Sequence, residues 1–387
     1  MYIEKYRRES FCDMKTTKNG ELLFLNKAGV PLTQYPRELI ERQCPLKSPL
    51  VVHLELTKKC GLLCKHCYIS AGNPRENELS NEEWKNILDQ LKELEVLSVY
   101  FTGGDPLLHK DCVEIVSYAH KIGLSCNLLT NGLEFEKSVK LDDIPKEVFI
   151  VLSYDGINGT SVLRNISGNR ILKVIELLRE RKRAFAIQSV IFRDNISEVM
   201  EIVLWCIENG IDLALNDIYP IGRMKENTDL LIRTNQIQQI LKLESMMKIY
   251  DKQVVIPKLS YPVANPNIYG SIKDLVQSTK RPEPGLFVTY ISSDGFLYAD
   301  NYYAAEGWVS DYNLRTTKFS DAWSGAFCEE RKMRIDEFEG CKDCTILKLG
   351  GFCDLQNMAM SKNLYGSLNQ CGAYPELKQL KTERILI

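Results

Sequence analysis

Three cysteines lie close together in the segment 56–68, where Cys60, Cys64 and Cys67 have the spacing Cys-x3-Cys-x2-Cys. Cysteine thiolates at short, fixed spacings are typical ligands of iron–sulfur clusters, because one loop must reach several irons of a small inorganic cube. Three thiolates leave one iron without a protein ligand, and that iron can bind a bidentate small molecule. The spacing therefore predicts a reactive cluster in this loop.

The main alternative for this loop is a zinc site. Structural zinc prefers four protein ligands, often arranged as two Cys-x2-Cys-like pairs, and no fourth ligand of that kind lies nearby in the sequence. His66 lies between two of the cysteines, where its reach back to the same metal would be strained. The loop therefore favours an iron–sulfur cluster over zinc.

The loop resembles the signature of radical S-adenosylmethionine (SAM) enzymes, Cys-x3-Cys-x-aromatic-Cys, with His66 in the place usually held by the aromatic residue. The resemblance implies a 4Fe-4S cluster whose free iron chelates the amino and carboxylate groups of SAM, with His66 beside the cofactor. It also implies reductive cleavage of SAM to methionine and a 5′-deoxyadenosyl radical, which abstracts a hydrogen atom from the substrate.

A second motif, Gly-Gly-Asp-Pro, follows the cysteine loop by about 40 residues at Gly103, Gly104, Asp105 and Pro106. Adjacent glycines at the end of a strand allow the backbone to approach a ligand closely, although such pairs also occur in plain turns. The segment resembles the family's Gly-Gly-Glu-Pro motif, whose backbone and acid bind the SAM amino group. Asp105 replaces the usual Glu, and its side chain is one methylene shorter.

Two further strand ends resemble SAM contacts of the same family. Asn131 lies in a Thr-Asn-Gly sequence, and Ser153 and Asp155 form the pattern Ser-x-Asp-Gly, in which the hydroxyl and the carboxylate reach SAM. Both segments are also explained by turn chemistry, because Asn-Gly and Asp-Gly favour turns by themselves. The resemblance therefore implies the following cofactor-binding residues: His66, Gly103, Gly104, Asp105, Asn131, Ser153 and Asp155.

The elements that must position these residues alternate between strand and helix from Pro49 onwards. Residues 51–56 read as a strand that ends at the cysteine loop, and Ser80 with Glu83 forms a capping box at the start of an amphipathic helix. About six such units follow in roughly 200 residues, which indicates a parallel sheet with crossover helices and fewer strands than the eight of a closed barrel. The resemblance supplies the matching fold, an α/β class partial (β/α)6 TIM-like barrel at residues 49–250.

The flanking segments divide the chain further. Residues 1–48 form an N-terminal extension in which Lys18-Asn-Gly20 predicts a hairpin, residues 251–284 form a linker, and residues 285–387 form a second domain. This domain opens with a predicted hairpin turn at Asp294-Gly295. It resembles the SPASM or Twitch extension of peptide-modifying radical SAM enzymes, in which a cysteine usually occupies the position of Asp300.

Four cysteines near the C-terminus are the predicted ligands of one auxiliary iron–sulfur cluster, with Asp300 as a possible substitute ligand. A zinc ribbon is the alternative, because four cysteines that include a Cys-x2-Cys pair suit zinc equally well by spacing. The chemistry predicted for the first domain favours iron–sulfur. The four residues are Cys341, Cys344, Cys353 and Cys371.

Composition limits the possible partners. The chain has 387 residues, 44% of them hydrophobic, and a formal net charge of −2, so no basic excess indicates a nucleic-acid partner. No apolar stretch approaches the length of a signal peptide core or a membrane span, which predicts a cytoplasmic protein without a membrane partner. Thirteen cysteines in such a chain point to metal or redox chemistry instead of disulfides.

The resulting hypothesis is a radical SAM enzyme that modifies a ribosomally made peptide by crosslinking, thioether formation or epimerisation, with a flavodoxin-type or ferredoxin-type reductant. One alternative is maturation of a small-molecule cofactor such as a tetrapyrrole. Another is a non-catalytic metal-binding or electron-carrier protein.

Overall fold

The computed structural model describes residues 4–17, 22–36, 46–136, 141–218, 221–230, 285–332 and 334. These residues form a small N-terminal sheet and a larger eight-stranded sheet. The small sheet consists of three antiparallel strands, β1 (Lys5–Arg8), β2 (Asp13–Thr16) and β3 (Leu22–Leu25). The pairing of β2 with β3 confirms the predicted hairpin, whose turn lies outside the described residues.

The large sheet contains six parallel strands that pair in chain order. They are β4 (Val51–Thr57), β5 (Ser98–Gly103), β6 (Ser125–Thr130), β7 (Phe149–Ser153), β8 (Phe185–Ile191) and β9 (Asp212–Asp217). The helices between them are α1 (Asn81–Glu93), α2 (Cys112–Lys121), α3 (Ile157–Arg164), α4 (Gly168–Glu180) and α5 (Ile196–Asn209). The predicted α/β architecture of a six-unit partial barrel is therefore confirmed.

Helix α1 shows how local sequence signals specify these elements. Ser80 and Glu83 form the predicted capping box at its N-terminus, and Trp84, Leu88 and Leu91 are buried on the face that packs against the sheet. Each of these burials contributes about 1.5–3 kcal/mol. In the described ranges we find no helix that combines the length and the apolar character needed to cross a membrane.

The segment after residue 285 adds two strands to the large sheet. Strand β10 (Val288–Ile291) pairs in parallel with β4, and β11 (Leu297–Tyr298) pairs with β10 through the predicted hairpin at Asp294-Gly295. Three short helices follow, α6 (Asn301–Glu306), α7 (Phe319–Gly325) and α8 (Cys328–Lys332). The hairpin predicted to open the second domain thus also extends the barrel sheet. The domain boundaries stay a prediction, and the linker 251–284 lies outside the described residues.

The N-terminal sheet docks against the end of the barrel opposite the cysteine loop. The buried Arg7 guanidinium donates to the carbonyls of Ser48 (2.5 Å) and Pro49 (2.9 Å) and to the Glu9 carboxylate (2.7 Å). The Lys5 ammonium donates to the carbonyl of Leu97 at 2.7 Å. These acceptors precede β4 and β5, so the N-terminal ends of the parallel strands hold this sheet in place.

Candidate active site

A cavity lies at the carboxyl ends of the parallel strands, which is the end where barrel enzymes collect their active sites. Cys60, Cys64 and Cys67 line it from the loop after β4, so the structure brings all three predicted cluster ligands to one wall. His66, Gly103, Gly104, Asn131 and Ser153 also line the cavity. The four C-terminal cysteines, Cys341, Cys344, Cys353 and Cys371, lie outside the described residues.

The loop that carries the cysteines is held in shape by the segment after β9. The Arg223 guanidinium donates to the carbonyls of Cys64 (2.8 Å) and Ala71 (2.6 Å), and its backbone N–H donates to the carbonyl of Cys67 (3.1 Å). Gly222 has φ +56°, and a Cβ at this position would lie 2.2 Å from the carbonyl oxygen of Tyr68. These contacts to backbone atoms position the loop that carries the thiols, and none of them involves a sulfur atom.

The three thiols lie in a partly desolvated environment. Burial raises the pKa of Cys60 to about 12 and also raises the pKa of Cys64. The backbone N–H groups of Leu62 and Ala71 lie 3.4 Å and 3.3 Å from the sulfur atoms of Cys60 and Cys67. Because metal ligands must be deprotonated, loading this site releases protons. Among the described residues, no three His, Cys, Asp or Glu side chains converge on the position of a single metal ion.

Gly103, the last residue of β5, and Gly104 pack directly on the start of the cysteine loop. Gly103 has φ +135°, and Gly104 donates its N–H to the carbonyl of Thr57 at 2.8 Å. A Cβ on Gly104 would lie 2.2 Å from the carbonyl oxygen of Lys59, which belongs to the backbone and cannot rotate away. The glycine pair is therefore required by close packing of two backbones beside the cavity.

Gly104→Ala is expected to displace the cysteine loop. A misplacement of about 1 Å near reacting groups can lower a rate by roughly 100-fold, so we expect a loss of that order in SAM cleavage together with reduced iron retention. Gly61→Ala is the matched control, because a Cβ on Gly61 in the same loop meets no atom within 4 Å. Iron content and 5′-deoxyadenosine formation are the measurements, and equal values for the two variants would contradict this packing role.

The Asp105 carboxylate occupies a different place from the one that the motif suggests. It is buried and is not among the cavity-lining residues; it accepts hydrogen bonds from the Thr130 hydroxyl (2.9 Å) and the backbone N–H groups of Asn131 (3.0 Å) and Leu107 (3.0 Å). Burial raises the pKa of Asp105 to about 6, against the effect of these donors. The Asp105 carboxylate therefore positions Asn131, which does line the cavity, and the direct contact of Asp105 with SAM stays a prediction.

The Asp155 carboxylate is likewise engaged by protein partners. It accepts hydrogen bonds from the Arg164 guanidinium at 2.6 Å and from the backbone N–H of Val190 at 2.8 Å, and it is fully buried. Arg164, in contrast, lines the cavity. Burial acts against its charged form, but attraction to Asp155 more than offsets this and raises the pKa of Arg164. Arg164 therefore faces the cavity in front of Asp155, and the contact of Asp155 with SAM stays a prediction.

His66 and Ser153 remain at the cavity wall as the sequence predicts. Burial lowers the pKa of His66 to about 3, so its imidazole is neutral at physiological pH. Its Nδ1 atom is buried and has no hydrogen-bond partner among the described residues. A neutral imidazole whose buried Nδ1 atom has no partner among the described residues is suited to lie beside a bound nucleoside.

Several lining residues carry no motif in the sequence. Gln188 follows the apolar run 185–187 on β8, and Asn216 follows the apolar run 213–215 on β9. A polar residue at the end of such a run is the signal that could have revealed them, because buried parallel strands normally read as continuous apolar runs. Asn301 and Tyr302 reach the cavity from α6, and the Tyr302 ring lies 5.4 Å from the ring of Tyr68. No local signal in the sequence marks these two residues.

Asp300 caps the helix that supplies Asn301 and Tyr302. Its carboxylate is buried and accepts hydrogen bonds from the backbone N–H groups of Tyr302 (2.8 Å) and Tyr303 (2.9 Å). Burial raises the pKa of Asp300 to about 6. In the described residues Asp300 therefore acts as a helix cap, and its role as a substitute cluster ligand stays a prediction.

Glu55 connects the added C-terminal strands to the segment that follows the cysteine loop. It is fully buried on β4 and accepts hydrogen bonds from the Ser293 hydroxyl (2.7 Å), the Arg75 guanidinium (3.0 Å) and the Tyr290 hydroxyl. The C-terminal segment is thus bonded to the same strand that carries the cluster loop.

The residues around the cavity fit a 4Fe-4S cluster with bound SAM. One loop supplies three thiols, the Arg164 guanidinium and the Ser153 hydroxyl suit a carboxylate, and the buried Nδ1 atom of His66 lacks a partner among the described residues. Gly104 lines the same cavity and packs closely on the backbone of the cysteine loop, so the wall at this position consists of backbone without a side chain.

Comparison with known proteins gives three findings. The sequence pattern of the radical SAM superfamily matches residues 54–206. A Fe-coproporphyrin III synthase from Methanosarcina barkeri is 26% identical over 72% of this chain and 74% of that protein. A PqqA peptide cyclase from Bradyrhizobium diazoefficiens is 32% identical over 48% of this chain, which spans about half (51%) of the length of that relative.

Among solved structures, Streptococcus suis SuiB bound to SAM has a TM-score of 0.70 at 16% identity and covers 94% of this chain and 97% of its own. SuiB bound to the precursor peptide SuiA has a TM-score of 0.67 at 18% identity, over 85% of this chain and 76% of its own. These likenesses concern the fold. Together with the matched superfamily pattern and the cavity described above, they lead to one assignment: residues 54–206 of this chain form a radical SAM domain, which implies a 4Fe-4S cluster and SAM as its cofactors.

Proposed function

We propose that this enzyme modifies a ribosomally made peptide. The observation that carries the proposal is the 32% identity with a PqqA peptide cyclase, which exceeds the 26% identity with the Fe-coproporphyrin III synthase. The fold shared with SuiB, a protein solved with a precursor peptide, supports the same substrate class. The non-catalytic alternative is set aside because the relatives are enzymes by name.

Each part of the cavity has a distinct role in this proposal. Cys60, Cys64 and Cys67 hold the cluster, which supplies with SAM the 5′-deoxyadenosyl radical needed for hydrogen abstraction. Arg164 and Ser153 orient the carboxylate of SAM, because a buried guanidinium forms strong, directional bonds to carboxylates. The backbone at Gly103 and Gly104, His66 and Asn131 complete the cofactor site.

Tyr68, Asn301 and Tyr302 also line the cavity, and in this proposal they exclude water from the reaction. We further propose that Cys341, Cys344, Cys353 and Cys371 hold an auxiliary iron–sulfur cluster. Such a cluster binds a substrate thiolate or accepts an electron during crosslinking.

A second candidate function is the modification of an iron tetrapyrrole. The Fe-coproporphyrin III synthase aligns with 72% of this chain, against 48% for the PqqA peptide cyclase, so the relative of this kind matches a longer part of the chain. The two candidates share the cofactor site and differ in the substrate that the cavity accepts.

The test is anaerobic incubation of the reconstituted enzyme with SAM and dithionite, with either short peptides encoded beside its gene or iron-coproporphyrin III. We expect 5′-deoxyadenosine in each mixture and a mass change only in a peptide. A loss of two hydrogens indicates a crosslink, and uptake of deuterium from heavy water without another change indicates epimerisation. Modification of the tetrapyrrole, with every peptide unchanged, would overturn the peptide proposal in favour of the second candidate.

A further inference from the structure

The cysteine loop has an outer surface as well as the inner one that lines the cavity. Side chains along the loop alternate in exposure, since Cys60, Leu62, Cys64 and His66 are buried or half-buried, whereas Lys59, Gly61, Leu63 and Lys65 are exposed. We call these last four residues the outer strip. Buried or half-buried residues and exposed residues therefore alternate along this loop, and the exposed position at Gly61 carries no side chain.

Leu63 is the most unusual member of the outer strip. Its side chain is 71% exposed, the highest value among the exposed large hydrophobic residues in the described part of the chain. Exposed apolar groups that are rimmed by charge often mark interaction sites. The strip is bonded to helix α3, where the carbonyl of Leu163 accepts the Lys65 N–H at 2.8 Å; the neighbouring Val162 on this helix is 37% exposed.

The charge around Leu63 is positive, although the whole chain has a formal net charge of −2. Lys59 and Lys65 flank Leu63, and neither forms an ion pair with a described residue. The outer strip is bonded to the segments 69–74 through Gly72, 157–165 through Leu163 and 103–105 through Asp105. The first two segments contain no Asp or Glu, and the Asp105 carboxylate is buried and bonded to Thr130 and Asn131. Within the part of the chain that the structure describes, the strip therefore combines an exposed leucine with two lysines that have no ion-pair partner, in the same loop as the predicted cluster ligands.

We propose that the outer strip is the docking surface for an acidic flavodoxin-type electron carrier. An acidic rim on the partner complements Lys59 and Lys65, and the apolar dimethylbenzene edge of a flavin suits contact with Leu63. One electron passes from the carrier, which is oxidised, to the cofactor site, which is reduced, and no atom is transferred. This inference rests on the radical SAM chemistry of the proposed function, but not on the identity of the substrate.

The test compares two reductants on the reconstituted holoenzyme without a peptide. In the double variant Lys59→Gln/Lys65→Gln and in Leu63→Ser, we expect binding of oxidised flavodoxin to weaken about tenfold, which corresponds to about 1.4 kcal/mol. SAM cleavage driven by reduced flavodoxin should fall by a similar factor at subsaturating flavodoxin. SAM cleavage driven by dithionite should stay unchanged, because a small reductant needs no docking surface. Raising the salt concentration should weaken binding by the parent enzyme more than binding by the lysine variant.

Matched controls are Lys173→Gln and Leu204→Ser, which change an exposed lysine on α4 and a 38% exposed leucine on α5. Flavodoxin affinities that are equal in the strip variants and these controls would overturn the proposal. The proposal would also be overturned if the strip variants lost affinity for a ferredoxin and kept their affinity for flavodoxin. Iron content verifies that each variant is loaded. An absence of 5′-deoxyadenosine with dithionite in the parent enzyme would instead point to failure of the radical SAM chemistry, so the two failures are distinguishable.

Discussion

Replacing Cys60, Cys64 and Cys67 together by Ala is expected to abolish cluster loading and SAM cleavage while leaving the barrel folded. The thiols are the predicted cluster ligands, so their loss removes the site for iron. The loop keeps its shape because Arg223, Gly72 and Thr57 hold it through backbone bonds that involve no sulfur. Iron analysis, 5′-deoxyadenosine formation and circular dichroism measure the three outcomes.

The matched control is the triple replacement of Cys112, Cys126 and Cys206 by Ala. These cysteines are buried among apolar residues of the barrel and act as small hydrophobic side chains. The control variant should lose some stability and keep its iron per folded molecule. Retention of a SAM-cleaving cluster in the first variant would refute the assignment of the ligands.

Asp155→Ala is expected to destabilise the enzyme by about 3–5 kcal/mol, because it leaves the buried Arg164 guanidinium without its carboxylate. The backbone N–H of Val190 loses its acceptor as well. Urea unfolding of the reconstituted enzyme measures the free energy of unfolding. A change below about 1 kcal/mol would show that water or a neighbouring group compensates the charge.

The double variant Asp155→Ala/Arg164→Met separates stability from cofactor binding. Removing both charges should recover most of the lost stability, because a buried pair contributes little over apolar residues of similar size. SAM binding should still be about 10- to 100-fold weaker, since a hydrogen bond to a charged group is worth about 1.5–3 kcal/mol. SAM affinity equal to that of the parent would exclude Arg164 as a SAM contact.

Glu9→Ala provides the control for this pair. Glu9 pairs with the buried Arg7 at the opposite end of the barrel. Its loss should destabilise the protein by a similar mechanism and leave the SAM affinity of the folded molecules unchanged. The comparison therefore distinguishes a contact with the cofactor from a general loss of stability.

The sequence alone determined the cluster loop, the order of strands and helices, and the helix start at Ser80. These features depend on spacing within a few residues, such as three cysteines in one loop or the apolar face of α1. The sequence also predicted that the backbone at Gly103 and Gly104 is closely approached by other atoms. The structure shows such an approach, but the nearest atoms belong to the backbone of Thr57 and Lys59 and not to a ligand.

Only the tertiary structure decided which polar side chains reach the cavity. Asp105 and Asp155 have their carboxylates bonded to partners on β6 and in the α3 and β8 regions, so they lie behind the wall, while Arg164, Gln188, Asn216 and Asn301 line it. The placement of β10 beside β4 was also decided at this level, since the paired positions, such as Val288 and Val51, are 237 positions apart in the chain. A buried carboxylate takes whichever donors the fold brings nearest, and those donors come from segments far apart in the chain, where local spacing carries no information.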